Sequence, residues 1–217
     1  MSDGRTIALN RMALVRHGET EGESSIRYHG RTDVPLSELG RTQMRAAGRE
    51  LAERLGGIAF ARVFSSPLIR ATEGARLIAG DGAAIVTIEE FAEVNFGLFE
   101  GLTAEEIRER YPEEFLRWRA DPLTAAYTYP GGENRGAFAE RVRRGFDRIL
   151  TLLMDDESSG GCTLVVAHRG VIRSIVSALA DEEPAVELGS VHILERRNSR
   201  WHPGALDITA HLSRSSG

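Results

Sequence analysis

Met12-Ala-Leu-Val-Arg-His-Gly-Glu-Thr20 passes from four apolar residues straight into an Arg-His-Gly turn. A short apolar run bounded by charge reads as a buried strand, and the glycine beyond it as the start of a loop. The pattern recurs at Cys162-Thr-Leu-Val-Val-Ala-His-Arg-Gly170, a run apolar enough to be a central strand covered on both faces. A third run, Ala61–Phe64, ends at Ser65-Ser-Pro67, with Arg70 just beyond. In open α/β sheets, ligands bind outside the carboxyl ends of the strands. Three such ends therefore offer Arg16, His17, Arg70 and His168 to one place. A cluster of cationic groups is costly unless an anion joins it.

Helical patterns separate these runs. Ser37 opens a helix through Arg41–Leu55, with Leu39, Met44, Ala47, Leu51 and Leu55 on its apolar face and Gly56-Gly57 at its end. Pro67 suits the first position of the next helix, capped by Ser66 and running to about Ala79. Ala84–Ile88 reads as a strand. Thr103–Arg110 and Pro112–Arg119 read as short helices, Asp121–Gly132 as a loop and Arg135–Met154 as a long amphipathic helix. Val171–Ala180 reads as a helix, Val191–Leu194 and Ala205–Leu212 as last strands, and Ser213–Gly217 as a frayed end. This alternation predicts an α/β fold: a three-layer sandwich, its central sheet mostly parallel, with helices on both faces. Residues 1–217 read as a single domain, with an insertion or lid at about 96–135.

Composition narrows the chemistry. All 27 basic residues are arginine. Without lysine, a Walker-type phosphate loop and a lysine Schiff base are impossible, so phosphate must be met by Arg, His or backbone amides. The net charge of −5 argues against nucleic acid or an anionic membrane as partner. No run approaches the ~18 apolar residues of a membrane span, and the N-terminal stretch lacks the apolar core of a secretory signal. One cysteine, Cys162, rules out an intrachain disulfide and a cysteine zinc cluster, and reads as a buried filler. A cytoplasmic location is expected. His29, His192, His202 and His211 lack metal-ligand spacing and read as surface or structural histidines. Arg141, Arg143, Arg144 and Arg148 read as a solvated helix face.

Leu14-Val-Arg-His-Gly-Glu-Thr20 resembles the signature of the histidine phosphatase superfamily, the phosphoglycerate-mutase-like fold. Gly30–Gly40, Ser65-Ser-Pro-Leu-Ile-Arg70-Ala71, Glu93-Val-Asn-Phe-Gly-Leu-Phe-Glu-Gly101, Pro130-Gly-Gly-Glu133 and Val165–Arg173 follow in the family's order. The resemblance implies a phosphohistidine on His17. It makes Arg16, Arg70 and His168 contacts of the phosphoryl oxygens and Glu93 the proton donor to the leaving oxygen. Glu89, Glu90 and Glu100 are neighbouring carboxylates and the alternatives to Glu93 in that role. Asp33, Pro35 and Leu36 read as turn residues, Phe96 and Phe99 as pocket wall or core. It implies no metal and no cofactor, and a small phosphorylated metabolite as substrate.

Two positions depart from the pattern. Glu23 stands where the family has a phosphate-binding asparagine, with Ser24 and Ser25 as substitute donors, and Arg169 stands where it has the first glycine after the histidine. A carboxylate facing phosphate repels it unless protonated or turned away, and arginine reaches positive φ less cheaply than glycine. The compact insertion and the Glu93-Val-Asn-Phe-Gly97 tract resemble the phosphatase branch. A phosphoglycerate-type mutase and a non-catalytic phospho-ligand binder are the alternatives.

Overall fold

The computed structural model describes residues 11–57, 59–121, 124–154, 161–179, 182–198 and 200–213. The N-terminal ten residues, Ala180 and the tail after Ser213 lie outside them, and with them the readings of a missing secretory signal, the end of the last long helix and a frayed terminus. Six strands form one sheet: β1 (Arg11–Arg16), β2 (Phe60–Ser65), β3 (Ile85–Thr87), β4 (Cys162–Ala167), β5 (Val191–Arg197) and β6 (Arg200–Ile208). Their order is β3-β2-β4-β1-β5-β6. The first four are parallel, while β5 and β6 run antiparallel on one side. The expected α/β sandwich with a mostly parallel sheet is therefore the observed fold.

Successive strand residues point to opposite faces. On β1, Met12 and Leu14 enter one core with Val165 and Ala167 of β4, while Ala13 and Val15 enter the other with Leu164 and Val166. Helices α1 (Glu38–Arg54) and α2 (Ile69–Ala79) cover the second face through Met44, Ala47, Leu51, Ala71 and Ala75. Helices α5 (Arg135–Met154) and α6 (Arg169–Leu179) cover the first through Val142, Phe146, Ile149, Ile172 and Val176. The short α3 (Ala104–Arg110) and α4 (Pro112–Ala120) lie between β3 and α5 in the chain. Their segment meets the first core through an aromatic chain in which Tyr28 packs edge-on to Phe96 and Trp118, and Phe96 to Tyr129. Phe99 is buried in that core and Phe96 half-buried against it. Among the described residues no helix is long and apolar enough to cross a membrane.

Local signals set several boundaries. Ser37 Oγ accepts from Gly40 N–H and caps α1, and Gly56 and Gly57 end it at positive φ. Thr103 and Glu106 close a capping box on α3. Other expectations need correction. Helix α2 begins at Ile69, not Pro67, and Leu68 at its N-cap makes no side-chain bond. The carboxylate of Asp33, read as a turn residue, accepts from Ile69 N–H at 2.7 Å and serves that end instead. Leu36, read likewise as a turn residue, is buried in the second core. Helix α6 starts at Arg169, two residues early. The final hairpin is longer than expected, and Leu212 belongs to a short α7 (Ala210–Ser213) rather than to a strand.

Candidate active site

The carboxyl ends of β1, β4 and β2 lie side by side, because His17 N–H bonds to Ala167 O and Ser66 N–H to Val166 O as each chain leaves the sheet. The chain order reverses here: β4 returns to fill the place between β2 and β1. Such a switch point leaves a crevice above the strands.

His17 is buried, 4% exposed. Its Nδ1 lies 2.7 Å from Gly18 O, a carbonyl that can only accept, so Nδ1 carries the ring proton. Nε2 keeps the lone pair and receives Arg70 Nε–H at 3.3 Å. Burial, then the charges of Arg70 and Arg16, holds the imidazole pKa well below its usual value, against the Gly18 bond, so the ring is neutral. Arg70 is fully buried and also donates at 2.8 Å to Thr32 O, His29 O and Gly30 O, which fixes both its fork and the 29–32 turn. The carboxylate of Glu100 holds that turn from its other side through the amides of Gly30, Arg31 and Thr32.

His168 sits 5.1 Å from His17, centroid to centroid. Its Nε2 is 2.6 Å from Ser66 Oγ, and its buried Nδ1 has no hydrogen-bond partner. Burial, followed by Arg70, His17 and Arg16, pushes this histidine well below its usual pKa too. Ser66, expected to cap a helix, thus orients a site histidine. Its place at the end of β2, facing the end of β4, was the available signal. Arg16 donates through Nη1 to Val186 O at 2.9 Å, while its buried Nε is unpartnered. Burial and the Arg169 charge push Arg16 down to about 10, against the opposing pull of Glu93 and Glu19.

Glu93 is buried at 7% exposure. Its Oε1 accepts from Val94 N–H and its Oε2 from Gly170 N–H, both at 3.0 Å. A Cβ on Gly170 would stand 2.5 Å from Glu93 Oε1, so this position must be glycine for the carboxylate to lie where it does. Glu100 is engaged with the amides named above and with Phe96 N–H, and Glu89 faces solvent. The five side chains singled out at the strand ends and the acid tract are therefore brought together. Arg141 corrects the reading of a solvated face. It is buried and bonds to Glu133 and to the carbonyls of Glu90, Ala92 and Glu93, whereas Arg143, Arg144 and Arg148 are exposed. Among the described residues no group of three or more His, Cys, Asp or Glu is arranged to hold a metal ion.

The sequence profile of the histidine phosphatase superfamily, branch 1, matches residues 12–208. The chain belongs to this superfamily. A bifunctional protein of Mycobacterium tuberculosis is 39% identical over 195 residues, covering 85% of this chain. The chain spans about half the length of that relative, 50%. A 2,3-bisphosphoglycerate-dependent phosphoglycerate mutase of Gloeobacter violaceus is 36% identical over 80% of this chain and 77% of its own. The structure of a mycobacterial glucosyl-3-phosphoglycerate phosphatase superposes with a TM-score of 0.75 at 27% identity, covering 92% of this chain and 99% of the other.

Within this superfamily the two departures have local explanations. Glu23 adopts φ 60° at an exposed turn and pairs with Arg27 at 3.3 Å. Ser24 Oγ is bonded to Thr20 Oγ1, and Ser25 N–H to the Glu19 carboxylate. Arg169 needs no positive φ, because it is the first residue of α6. It is exposed, and its charge is felt by Arg16. Cys162 is buried as expected, and burial pushes its thiol up to about 11.

Proposed function

We propose that this chain is a phosphomonoester hydrolase that works through a phosphohistidine on His17, without metal or cofactor, on a small phosphorylated metabolite. The observation that carries this reading is the set of contacts on His17, with Nδ1 against Gly18 O and Nε2 facing Arg70. A neutral ring with its proton fixed on Nδ1 presents a lone pair on Nε2 in a pocket of cationic donors.

In this reading, Nε2 attacks phosphorus as the P–O bond to the leaving group breaks. Glu93 gives its proton to the departing oxygen. Charge spread over the three equatorial oxygens is met by Arg16, Arg70 and His168. Ser66 Oγ holds His168 through Nε2, and the buried Nδ1 of that ring has no protein partner. Water then attacks phosphorus, the N–P bond breaks, and the Glu93 carboxylate takes the proton from water. His17 returns to its starting state and phosphate leaves.

The mutase relative supports a second reading with the same first step, in which a substrate hydroxyl replaces water as acceptor. One experiment separates the two. The protein is incubated in EDTA with a panel of sugar, acid, nucleotide and aryl phosphates, and inorganic phosphate and isomerised ester are both measured. Phosphate release that survives EDTA, with an acid-labile phosphoenzyme on His17, is the expected result. Isomer formation without phosphate release favours the mutase. Activity lost to EDTA and restored by a divalent ion overturns the metal-free mechanism.

A further inference from the structure

We infer that Glu133 and Arg141 are a positioning pair for Glu93, fixing the backbone from which the acid reaches the leaving oxygen; this rests on the hydrolase reading above. The guanidinium of Arg141 has five N–H donors, and the contacts use its whole fork. Nε and Nη2 hold the two carboxylate oxygens of Glu133 at 2.7 and 2.8 Å. Nη1 donates to Glu90 O at 2.7 Å and Ala92 O at 2.6 Å, and Nη2 also reaches Glu93 O at 3.0 Å. Three carbonyls, one from the short 3-10 turn Glu89–Phe91 and two from the chain that follows it, thus converge on one buried cation.

Glu133 closes the device from the other side of the acid. Its Oε2 accepts from Asn95 N–H at 3.2 Å, and its own N–H donates to Asn95 O at 2.9 Å. Residue 93 is therefore bracketed at 90, 92, 93 and 95 by one ion pair. Burial works to raise the Glu133 pKa, but the bonds and charge of Arg141 outweigh it and hold the carboxyl below the usual range. The same helix face reaches the other support of the acid. Phe138, one turn before Arg141 on α5, packs against its guanidinium at 4.7 Å and borders Gly170, whose N–H holds Glu93 Oε2. The charge of Arg141 also reaches His168, and Arg141→Lys keeps that charge. The hydrogen bonds of Arg141 and Glu133 end on each other and on residues 90–95, so their loss acts on the acid.

That route gives a signature that a merely structural pair would not. Glu133→Gln and Arg141→Lys are measured on an alkyl phosphate and a nitrophenyl phosphate, each alone and in the Glu93→Gln background. A small misplacement of the acid should lower kcat on the alkyl ester on the order of tenfold. The nitrophenyl ester, whose leaving group needs little protonation, should slow by less than about twofold. In the Glu93→Gln background both penalties should vanish, because the group being positioned is gone. Glu133→Gln keeps one acceptor oxygen at a half-buried position, so it tests the inference even if Arg141→Lys fails to fold. Equal losses on both esters, no loss on either, or the same loss in the Glu93→Gln background would overturn the inference and leave the pair a structural one. Absence of hydrolysis by the unaltered protein would instead sink the hydrolase reading, and the positioning role with it.

Discussion

Two buried histidine clusters flank β1, and they differ in what their rings can do. His17 follows its last residue, and His192 lies on β5 directly opposite Leu14. Burial depresses both pKa values: His17 well below its usual value, His192 to about 4. The second cluster even has the residue types of a serine hydrolase triad, with Ser190 Oγ 2.9 Å from His192 Nε2 and Asp207 nearby. Yet His192 Nδ1 accepts from Asp207 N–H at 3.2 Å, so the ring proton is on Nε2 and points at the serine. Such a ring cannot take a proton from Ser190, which is itself fully buried. The Asp207 carboxylate is spent on the amides of Ala185 and Val186. At His17 the order is reversed: the backbone fixes the proton on Nδ1, and the Nε2 lone pair meets Arg70 Nε–H. Tautomer and surrounding charge, rather than residue types, separate the two histidines, and the proposed phosphohistidine rests on that difference.

The widest gap between the clusters should appear on substitution. His17→Ala is expected to reduce turnover by about 10⁴-fold or more, whatever the leaving group. Ser190→Ala should leave kcat within about twofold and cost stability, about 1–3 kcal/mol for the orphaned His192 N–H. Rates on aryl and alkyl esters, with urea melts of both variants, check this. A Ser190→Ala enzyme as inactive as His17→Ala would erase the distinction. Glu93→Gln comes next. It should slow an alkyl ester by about 10²–10⁴-fold and a nitrophenyl ester far less. Rapid-quench measurement of the phosphorylation step isolates this from later hydrolysis of the phosphoenzyme. Equal small losses on both esters would point to another carboxylate.

The clusters also differ in how much of them is legible in the chain. Strands β1 and β4 and helix α5 are local patterns, an apolar run or a 3.6-residue period, and they read directly. The polar residues at the ends of those strands stand out for the same reason. Ser66, Asp33 and Gly170 do not, because each acts through a neighbour far off in sequence: His168, Ile69 and Glu93. Arg141 differs from these, because its signal is local. Phe138, Val142, Gly145, Phe146 and Ile149 form the buried stripe of α5, and Arg141 occupies a place on it. Its exposed neighbours Arg143, Arg144 and Arg148 masked an arginine at a core position. A buried charge implies a specific partner.

Gly170→Ala sharpens the comparison at the acid. The added Cβ would meet Glu93 Oε1 at 2.5 Å and the Phe138 ring at 3.0 Å. Neither can move freely, so a loss of about 1–3 kcal/mol is expected. The alkyl ester should suffer more than the aryl ester, as the carboxylate is displaced. Thermal melts and the ratio of the two rates measure both effects. An alanine accepted with unchanged stability and ratio would mean that Glu93 is not held as described.

The smallest effect concerns pH. In unfolded chains histidine titrates near 6.5. Burial lowers His17, His168 and His192 in the folded protein. Below about pH 6.5 the unfolded state therefore binds protons that the folded state does not, and stability falls as pH falls. For His192 the window is bounded. Its contribution is complete above about 6.5 and is lost as pH drops toward the folded value of about 4. At pH 5 the loss is on the order of 1–2 kcal/mol. His192→Gln removes that proton uptake while keeping an amide donor for Ser190. The variant should be less stable than the parent at pH 8, through lost packing and the Asp207 N–H bond, and the gap should narrow by pH 5. The slope that persists belongs to the histidines still present, His17 and His168 among them. Urea melts of both proteins at pH 8, 6.5 and 5 test the sign. Parallel stability curves would mean that His192 gains its proton equally in folded and unfolded chains. The contrast between the clusters would then rest on tautomer alone.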